Sequence, residues 1–178
     1  MKCHVVLLCL LPGLALANDW RALEQDGAIA VMRHALAPGT GDPGEFRLGD
    51  CETQRNLDER GREQARRIGQ AFRERGFAFD VVFTSQWCRT QETAKLLDLG
   101  PVVDAPALNS FFRDFSTRDT QTREALDLIE ATDGKLMLVS HQVNISALAG
   151  QTTRSGEVLI IQLNDGTVAV TGSILVEP

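Results

Sequence analysis

The sequence predicts an α/β domain with a mainly parallel sheet, closed by a C-terminal antiparallel hairpin. Three observations carry this expectation. Two short apolar runs, Ala28-Ile29-Ala30-Val31-Met32 and Leu136-Met137-Leu138-Val139, read as strands buried on both faces. Each leads into a histidine, through Arg33-His34 in the first case and Ser140-His141 in the second. Stretches of helical period alternate with such strands, as in βαβ units. Finally, Asn164-Asp165-Gly166 separates two apolar runs, which is a hairpin signal.

In chain order, residues 1–17 read as a signal peptide. Lys2 supplies the positive start, Val5 to Leu16 the apolar core, and Ala15-Leu16-Ala17 a small-residue cleavage site. The apolar stretch is shorter than the ~20 residues that span a bilayer. Leu8 is too bulky to precede a lipid-anchor cysteine at Cys9, so no membrane anchor is expected. A buried N-terminal helix is disfavoured, because Pro12-Gly13 interrupts the stretch and it has no polar face. Residues 18–178 then form one domain, large enough for a real core.

The formal net charge is −6, and loss of a segment holding Lys2 and no acid makes the remainder more negative still. An acidic domain is a poor binder of nucleic acid or anionic membrane, so any basic patch is local. Cys3 and Cys9 leave with the signal, while Cys51 and Cys88 remain. In an oxidising compartment these two are expected to form a disulfide, the alternative being two free buried thiols. His34 and His141 are the only histidines after residue 17, and no CxxC or His-rich spacing points to a metal. Neither metal nor cofactor is expected.

Residues 19–25 suggest a short opening helix, and residues 28–32 form the first strand. Residues 35–53 then hold Pro38, Gly39, Gly41, Pro43, Gly44 and Gly49. A loop this long inside a domain is usually functional or disordered, and its position after His34 favours a lid or substrate-selecting loop. Residues 58–75 have helical period, with Ala65, Ile68 and Phe72 on one face. Their alternating Arg and Glu residues read as a solvated face with ion pairs, rather than a polyanion-binding helix. A strand at 79–84 and a helix at 86–97 follow, with Ser85 as the expected N-cap. Arg89 then falls in the first helical turn, where backbone N–H groups favour anions. A short strand within 101–107, a loop over 108–120 and a helix at 122–131 come next. The second His-bearing strand at 135–140 leads to a helix at 143–149, stopped by Gly150. The hairpin strands span 157–163 and 167–175.

Three motifs carry a resemblance. Val31-Met32-Arg33-His34-Ala35 resembles the Arg-His-Gly signature of the histidine phosphatase (phosphoglycerate mutase-like) superfamily, with Ala35 in place of Gly. Ser85-Gln-Trp-Cys-Arg89-Thr-Gln-Glu-Thr93-Ala94 is similar to its Ser-x-x-x-Arg-x-x-x-Thr-Ala motif, and Leu138-Val-Ser140-His141 to its distal-His motif. Their order matches and they cover essentially the whole chain after residue 17. The resemblance implies a three-layer α/β/α sandwich and assigns His34 as the nucleophile that becomes phosphohistidine.

The residue types suit that chemistry. Phosphoryl transfer needs an aligned nucleophile and cationic donors around the equatorial oxygens. Imidazole, with an ordinary pKa of about 6.5, is largely neutral at pH 7 and attacks without a separate base. Arg33 and Arg89 offer forked, always-charged donors, and His141 a further hydrogen bond, best when protonated. Arg55 is a candidate substrate contact or an ordinary surface arginine. The proton donor to the leaving group is less evident. One branch of the superfamily places Glu in a Leu-x-Glu context, matched here by Leu108-Asn109-Ser110. The other places Asp after the distal His, where this chain has Gln142. Neither Ser110 nor Gln142 is a carboxylic acid. Asp114 becomes the first candidate acid, ahead of Asp50, Glu45 and Asp104.

The expectation is an exported, metal-independent phosphatase acting on a small-molecule or protein-borne phosphate, with no nucleic-acid partner. The alternatives are a non-catalytic phosphate- or phosphosugar-binding protein of the same fold, and a phosphoglycerate-type mutase. Export disfavours the mutase, whose metabolite is cytosolic.

Overall fold

In the computed structural model, which describes residues 18–176, six strands form one mixed sheet. They are β1 (Ile29–Arg33), β2 (Val81–Thr84), β3 (Val102–Asp104), β4 (Leu136–Ser140), β5 (Val158–Asn164) and β6 (Thr167–Ile174), in the spatial order β3-β2-β4-β1-β5-β6. The first four are mutually parallel. β5 runs antiparallel to β1, and β6 antiparallel to β5. The sheet is mainly parallel with a C-terminal hairpin, as the sequence predicts. The hairpin turns through Asp165 (φ 48°) and Gly166 (φ 73°), a left-handed pair that the Asp-Gly dipeptide tolerates.

Four helices cover the sheet: α1 (Glu59–Arg73), α2 (Cys88–Leu97), α3 (Arg118–Glu130) and α4 (Gln142–Ala149). Strand alternation divides the core into two halves. Ala30, Met32, Met137, Val139, Val158 and Ile160 point to one face and pack with Ile68, Phe72, Ala94 and Leu97 of α1 and α2. Ile29, Val31, Leu136, Leu138, Leu159 and Ile161 point to the other, against Ala125, Ile129 and Ile145 of α3 and α4. This is the three-layer arrangement. α1 and α2 approach so closely that a Cβ on Gly69 would lie 1.9 Å from the Leu97 carbonyl oxygen, so only glycine fits there.

Caps set the helix boundaries. Asp58 accepts the Gly61 N–H at 2.8 Å, which starts α1 at Glu59. Gly150, at φ 68°, ends α4. α3 begins at Arg118, four residues before the expected start, because a 3₁₀ turn at Phe115–Thr117 feeds directly into it. The opening segment is a 3₁₀ helix, Trp20–Glu24, with Trp20 edge-on to Phe72 at 4.9 Å. The exposed face of α1 carries Arg62, Arg66 and Arg67 paired with Glu92, Glu59 and Glu63. Such surface pairs contribute about 0–1 kcal/mol each. The expected signal peptide lies outside the described residues. No helix among the described residues is long and apolar enough to cross a membrane.

Strand register positions the two histidines. Arg33 lies opposite Ser140 in the parallel β1–β4 pair, so the two strands end level. The His34 N–H donates to the Ser140 carbonyl at 3.0 Å. His34 and His141 are thereby set side by side at the carboxyl edge of the sheet, where open α/β sheets place ligand sites.

Candidate active site

One pocket opens over these strand ends. Arg33, His34, Arg55, Arg89 and His141 line it, together with Asp42, Ser110 and Gln142. The sheet edge thus brings together all five cationic and imidazole residues expected at the site.

His34 is 2 % exposed, and its Nδ1 lies 2.7 Å from the Ala35 carbonyl. A carbonyl only accepts, so Nδ1 carries the proton and Nε2 keeps the lone pair. Burial, and next the charge of Arg89, push the His34 pKa well below its ordinary 6.5. The ring is therefore neutral at physiological pH.

His141 sits 5.5 Å away, ring centre to ring centre, and is equally buried. Its Nδ1 is 3.4 Å from Arg89 Nη2, which can only donate. Nε2–H then donates to Ser85 Oγ at 2.7 Å. Burial, followed by the charge of Arg89, holds this pKa well down too. In this arrangement Nδ1 faces the Arg89 guanidinium as an acceptor, and the expected bond from His141 is one to be made to a bound phosphoryl group.

Ser85 is likewise not the N-cap of α2, which begins at Cys88 after Trp87. Its hydroxyl is committed to His141, to Thr90 Oγ1 at 2.9 Å and to the Trp87 N–H at 3.2 Å. It orients the distal imidazole instead. The Cys88 N–H at the head of α2 is taken by Gln54 Oε1 at 3.0 Å.

Arg33 donates to Gln142 Oε1 at 3.3 Å and to the Thr153 carbonyl at 3.0 Å. Its Nε is buried with no partner. Gln142, also bound by the Thr153 N–H, steadies this arginine. Arg55 donates through Nε to the Gly41 carbonyl at 2.9 Å and through Nη1 to that of Ala37. Burial and the nearby Arg89 pull its pKa down to about 10, still far above physiological pH.

Asp42 is the residue that sequence reasoning missed. It belongs to the long loop after His34 and reaches back to Arg89, with Oδ1 2.7 Å from Nη1 and Oδ2 3.2 Å from Nη2. The side chains are 3 % and 6 % exposed, Arg89 and Asp42 respectively. Trp87 Nε1 and the Arg55 N–H donate to the same carboxylate at 3.0 and 3.1 Å. Burial raises its pKa, but the Arg89 bonds and charge, with those two donors, outweigh that and hold it below the usual carboxylate value. Its Gly-Asp-Pro setting reads as an ordinary turn.

Asp114 does not reach the pocket. It is exposed at the start of the 3₁₀ turn, where Oδ1 accepts from the Ser116 N–H and hydroxyl at 3.0 and 2.6 Å. Its place in the sequence suggests an acid of the site, but its carboxylate serves as a turn cap. Asp50 pairs with Arg47 on the surface, and Asp104 accepts from Gln91. Among the pocket-lining residues Asp42 is the sole carboxylate.

The loop over the site is fastened at both ends. Thr93 Oγ1 accepts the Ala35 N–H at 3.1 Å, and Gln64 Oε1 that of Leu36 at 2.9 Å. At the far end Cys51 and Cys88 form a disulfide, with Cα atoms 5.7 Å apart. Between these points Arg113 donates to the Pro43 carbonyl, and Phe46 stacks on Trp87 at 5.0 Å. The loop forms one wall of the pocket. No group of three or more His, Cys, Asp or Glu side chains among the described residues is placed to hold a metal ion.

A family model described as the histidine phosphatase superfamily (branch 1) matches residues 29–112, from β1 to the mouth of the pocket. A 2,3-bisphosphoglycerate-dependent phosphoglycerate mutase of Parvibaculum lavamentivorans is 40% identical over 65 residues. That match covers 33% of this chain and only 30% of the mutase. The protein histidine phosphatase SixA, solved with tungstate, superposes with a TM-score of 0.57 at 16% identity, over 83% of this chain and 96% of its own. A phosphoserine phosphatase of Entamoeba histolytica, solved with 3-phosphoglyceric acid, superposes with a TM-score of 0.63 at 12% identity, over 84% and 98%. At these identities the two structures share the fold.

Proposed function

We propose that the chain is a member of the histidine phosphatase superfamily, whose family model matches residues 29–112, and that it is an exported, metal-independent phosphatase working through a phosphohistidine on His34. One observation carries the reading: a buried, neutral imidazole has its lone pair on Nε2, beside the guanidiniums of Arg33 and Arg89. His34 Nε2 attacks phosphorus as the bond to the leaving oxygen or nitrogen breaks. Water then attacks the phosphohistidine, releasing phosphate and restoring the imidazole. Arg33, Arg89 and Arg55 balance the charge of about −2 on the phosphoryl group, and such preorganised donors commonly make the largest catalytic contribution.

The leaving group has no obvious proton donor. Ser110 and Gln142 stand at the pocket in the places where the two branches of the superfamily carry a carboxyl group, and Asp42 already accepts four hydrogen bonds. General acid catalysis is typically worth about 10²–10⁴-fold. Without it, aryl phosphates, acyl phosphates and phosphoramidates such as phosphohistidine are favoured over alkyl esters. The likeness to a protein histidine phosphatase fits that substrate class. The Cys51–Cys88 disulfide and the signal-like residues 1–17 support export.

A denaturing quench during turnover is expected to trap an acid-labile phosphoryl group on His34, absent in His34→Ala. With a series of aryl and alkyl phosphates, the rate of His34 phosphorylation should rise steeply as the leaving-group pKa falls. A flat series would refute the missing acid. The mutase reading is favoured by the 40% identity to the Parvibaculum enzyme. It requires isomerisation without net phosphate release, so measured phosphate release decides between the two.

A further inference from the structure

Arg89 is committed before any ligand arrives. A guanidinium has five N–H donors. On Nη1, Arg89 binds Asp42 Oδ1 at 2.7 Å and the Arg55 carbonyl at 3.2 Å. On Nη2 it binds Asp42 Oδ2 at 3.2 Å and faces His141 Nδ1 at 3.4 Å. Only the buried Nε–H has no partner. Asp42 is saturated too, since Trp87 Nε1 and the Arg55 N–H fill its remaining acceptor positions. A forked pair to one arginine with two further N–H donors is the coordination that suits a phosphoryl group.

We propose that Asp42 is an internal stand-in for the substrate's phosphoryl group. It occupies Arg89 in the resting protein, and a tetrahedral oxyanion enters as the loop carries Asp42 off the guanidinium. This rests on the reading that Arg89 receives the phosphoryl group. The exchange favours the ligand in charge, since a phosphomonoester brings about −2 to donors now holding a single carboxylate. The segment between the fastened ends is suited to move. It has neither strand nor helix, and the contacts holding its middle are non-covalent. A permanent Asp42–Arg89 pair makes the opposite prediction. There Asp42 would position Arg89, and its loss would loosen the arginine and weaken binding.

Apparent affinity equals intrinsic affinity reduced by the fraction of open molecules, so weakening the stand-in must tighten anion binding. The probe is tungstate, titrated calorimetrically into the purified protein. Trp87→Phe removes one donor to Asp42 while keeping a ring for Phe46, and is expected to tighten tungstate about 10-fold. Asp42→Asn, which cannot hold the fork as an anion, is expected to tighten it further. Thermal melts establish that each variant is folded, and Trp87→Phe serves if Asp42→Asn is not. Equal or weaker binding by a folded variant overturns the proposal, as does an absence of tungstate binding in all three proteins. In the native protein the Trp87 indole N–H resonance should shift on tungstate addition as it loses Asp42, while that of Trp20 stays. A Trp87 resonance that stays while tungstate binds also overturns it. Tighter binding by the variants, with no phosphoryl group ever trapped on His34, would refute the phosphatase reading and leave the stand-in standing.

Discussion

The floor of the pocket and its wall are held by different forces. On the floor, His34 and His141 sit at the level ends of two buried parallel strands, fixed by backbone register and by apolar packing on both faces. The wall, residues 37–50, has neither strand nor helix. It is held by Arg55 and Arg113 on its carbonyls, by Asp42 on Arg89 and by a disulfide just beyond it. Moving a floor residue requires disturbing the core, whereas the wall yields to the loss of a few polar contacts. The proposed nucleophile thereby sits on a floor packed on both faces, beside a wall held by polar contacts.

The largest expected effect that separates the two regions comes from the disulfide. It closes a loop with a sequence separation of 37, which corresponds to about 4 kcal/mol at most in the chain-entropy model. A Cys51→Ser, Cys88→Ser double variant should melt well below the native protein. Below its own melting transition it should still form the phosphohistidine, because the floor is intact. Loss of phosphorylation in the folded variant would show that wall and floor are one unit.

A smaller effect is expected within the floor. Ser85→Ala leaves the buried His141 Nε2–H without its acceptor, at a cost of about 1–3 kcal/mol. It also frees the ring to change tautomer. Denaturant melts give the first quantity, and ¹⁵N shifts of His141 report the second. An unchanged tautomer would mean that Arg89 alone sets the ring.

The most graded test is pH. Both histidines have folded pKa values below the ordinary 6.5 of the unfolded chain. Their contribution to stability is therefore full above about pH 6.5. It declines as pH falls from there toward the lowered folded values, because the unfolded chain takes up protons that the folded one does not. Phosphorylation of His34 should hold its rate from pH 8 to below 6.5, while the melting temperature already declines. His34→Asn should make that decline shallower, and an unchanged slope would show that His34 does not titrate as a buried neutral group.

What can be read from the sequence divides in the same way. The floor is legible because a short apolar run ending in a polar pair has few alternatives to a buried parallel strand, and it occurs twice. The C-terminal hairpin is legible from Asp165-Gly166 for a similarly local reason. Asp42 is not, since its meaning lies in a contact with Arg89 across 47 positions of chain, and no periodicity marks it. Asp114 has the look of an acid near a motif, yet a neighbouring serine claims it. Ser85 reads as a cap from its place before a helix, whereas the distal imidazole across the sheet decides its role. Asp42 and Ser85 act through partners distant in sequence, which local patterns do not encode.

The strand order bears on how the molecule is born. β4 lies between β1 and β2, and both neighbours of β1 come from the last third of the chain. During synthesis the N-terminal half therefore emerges with β1 and β2 unable to complete a sheet, and with unpaired edges open to other chains. Long-range parallel pairing of this kind is intrinsically slow. Insertion of β4 completes the centre of the sheet and, in the same event, brings His141 beside His34. A nascent or truncated chain thus carries His34 without His141, and the proposed site is assembled only once the C-terminal third of the chain has joined the sheet.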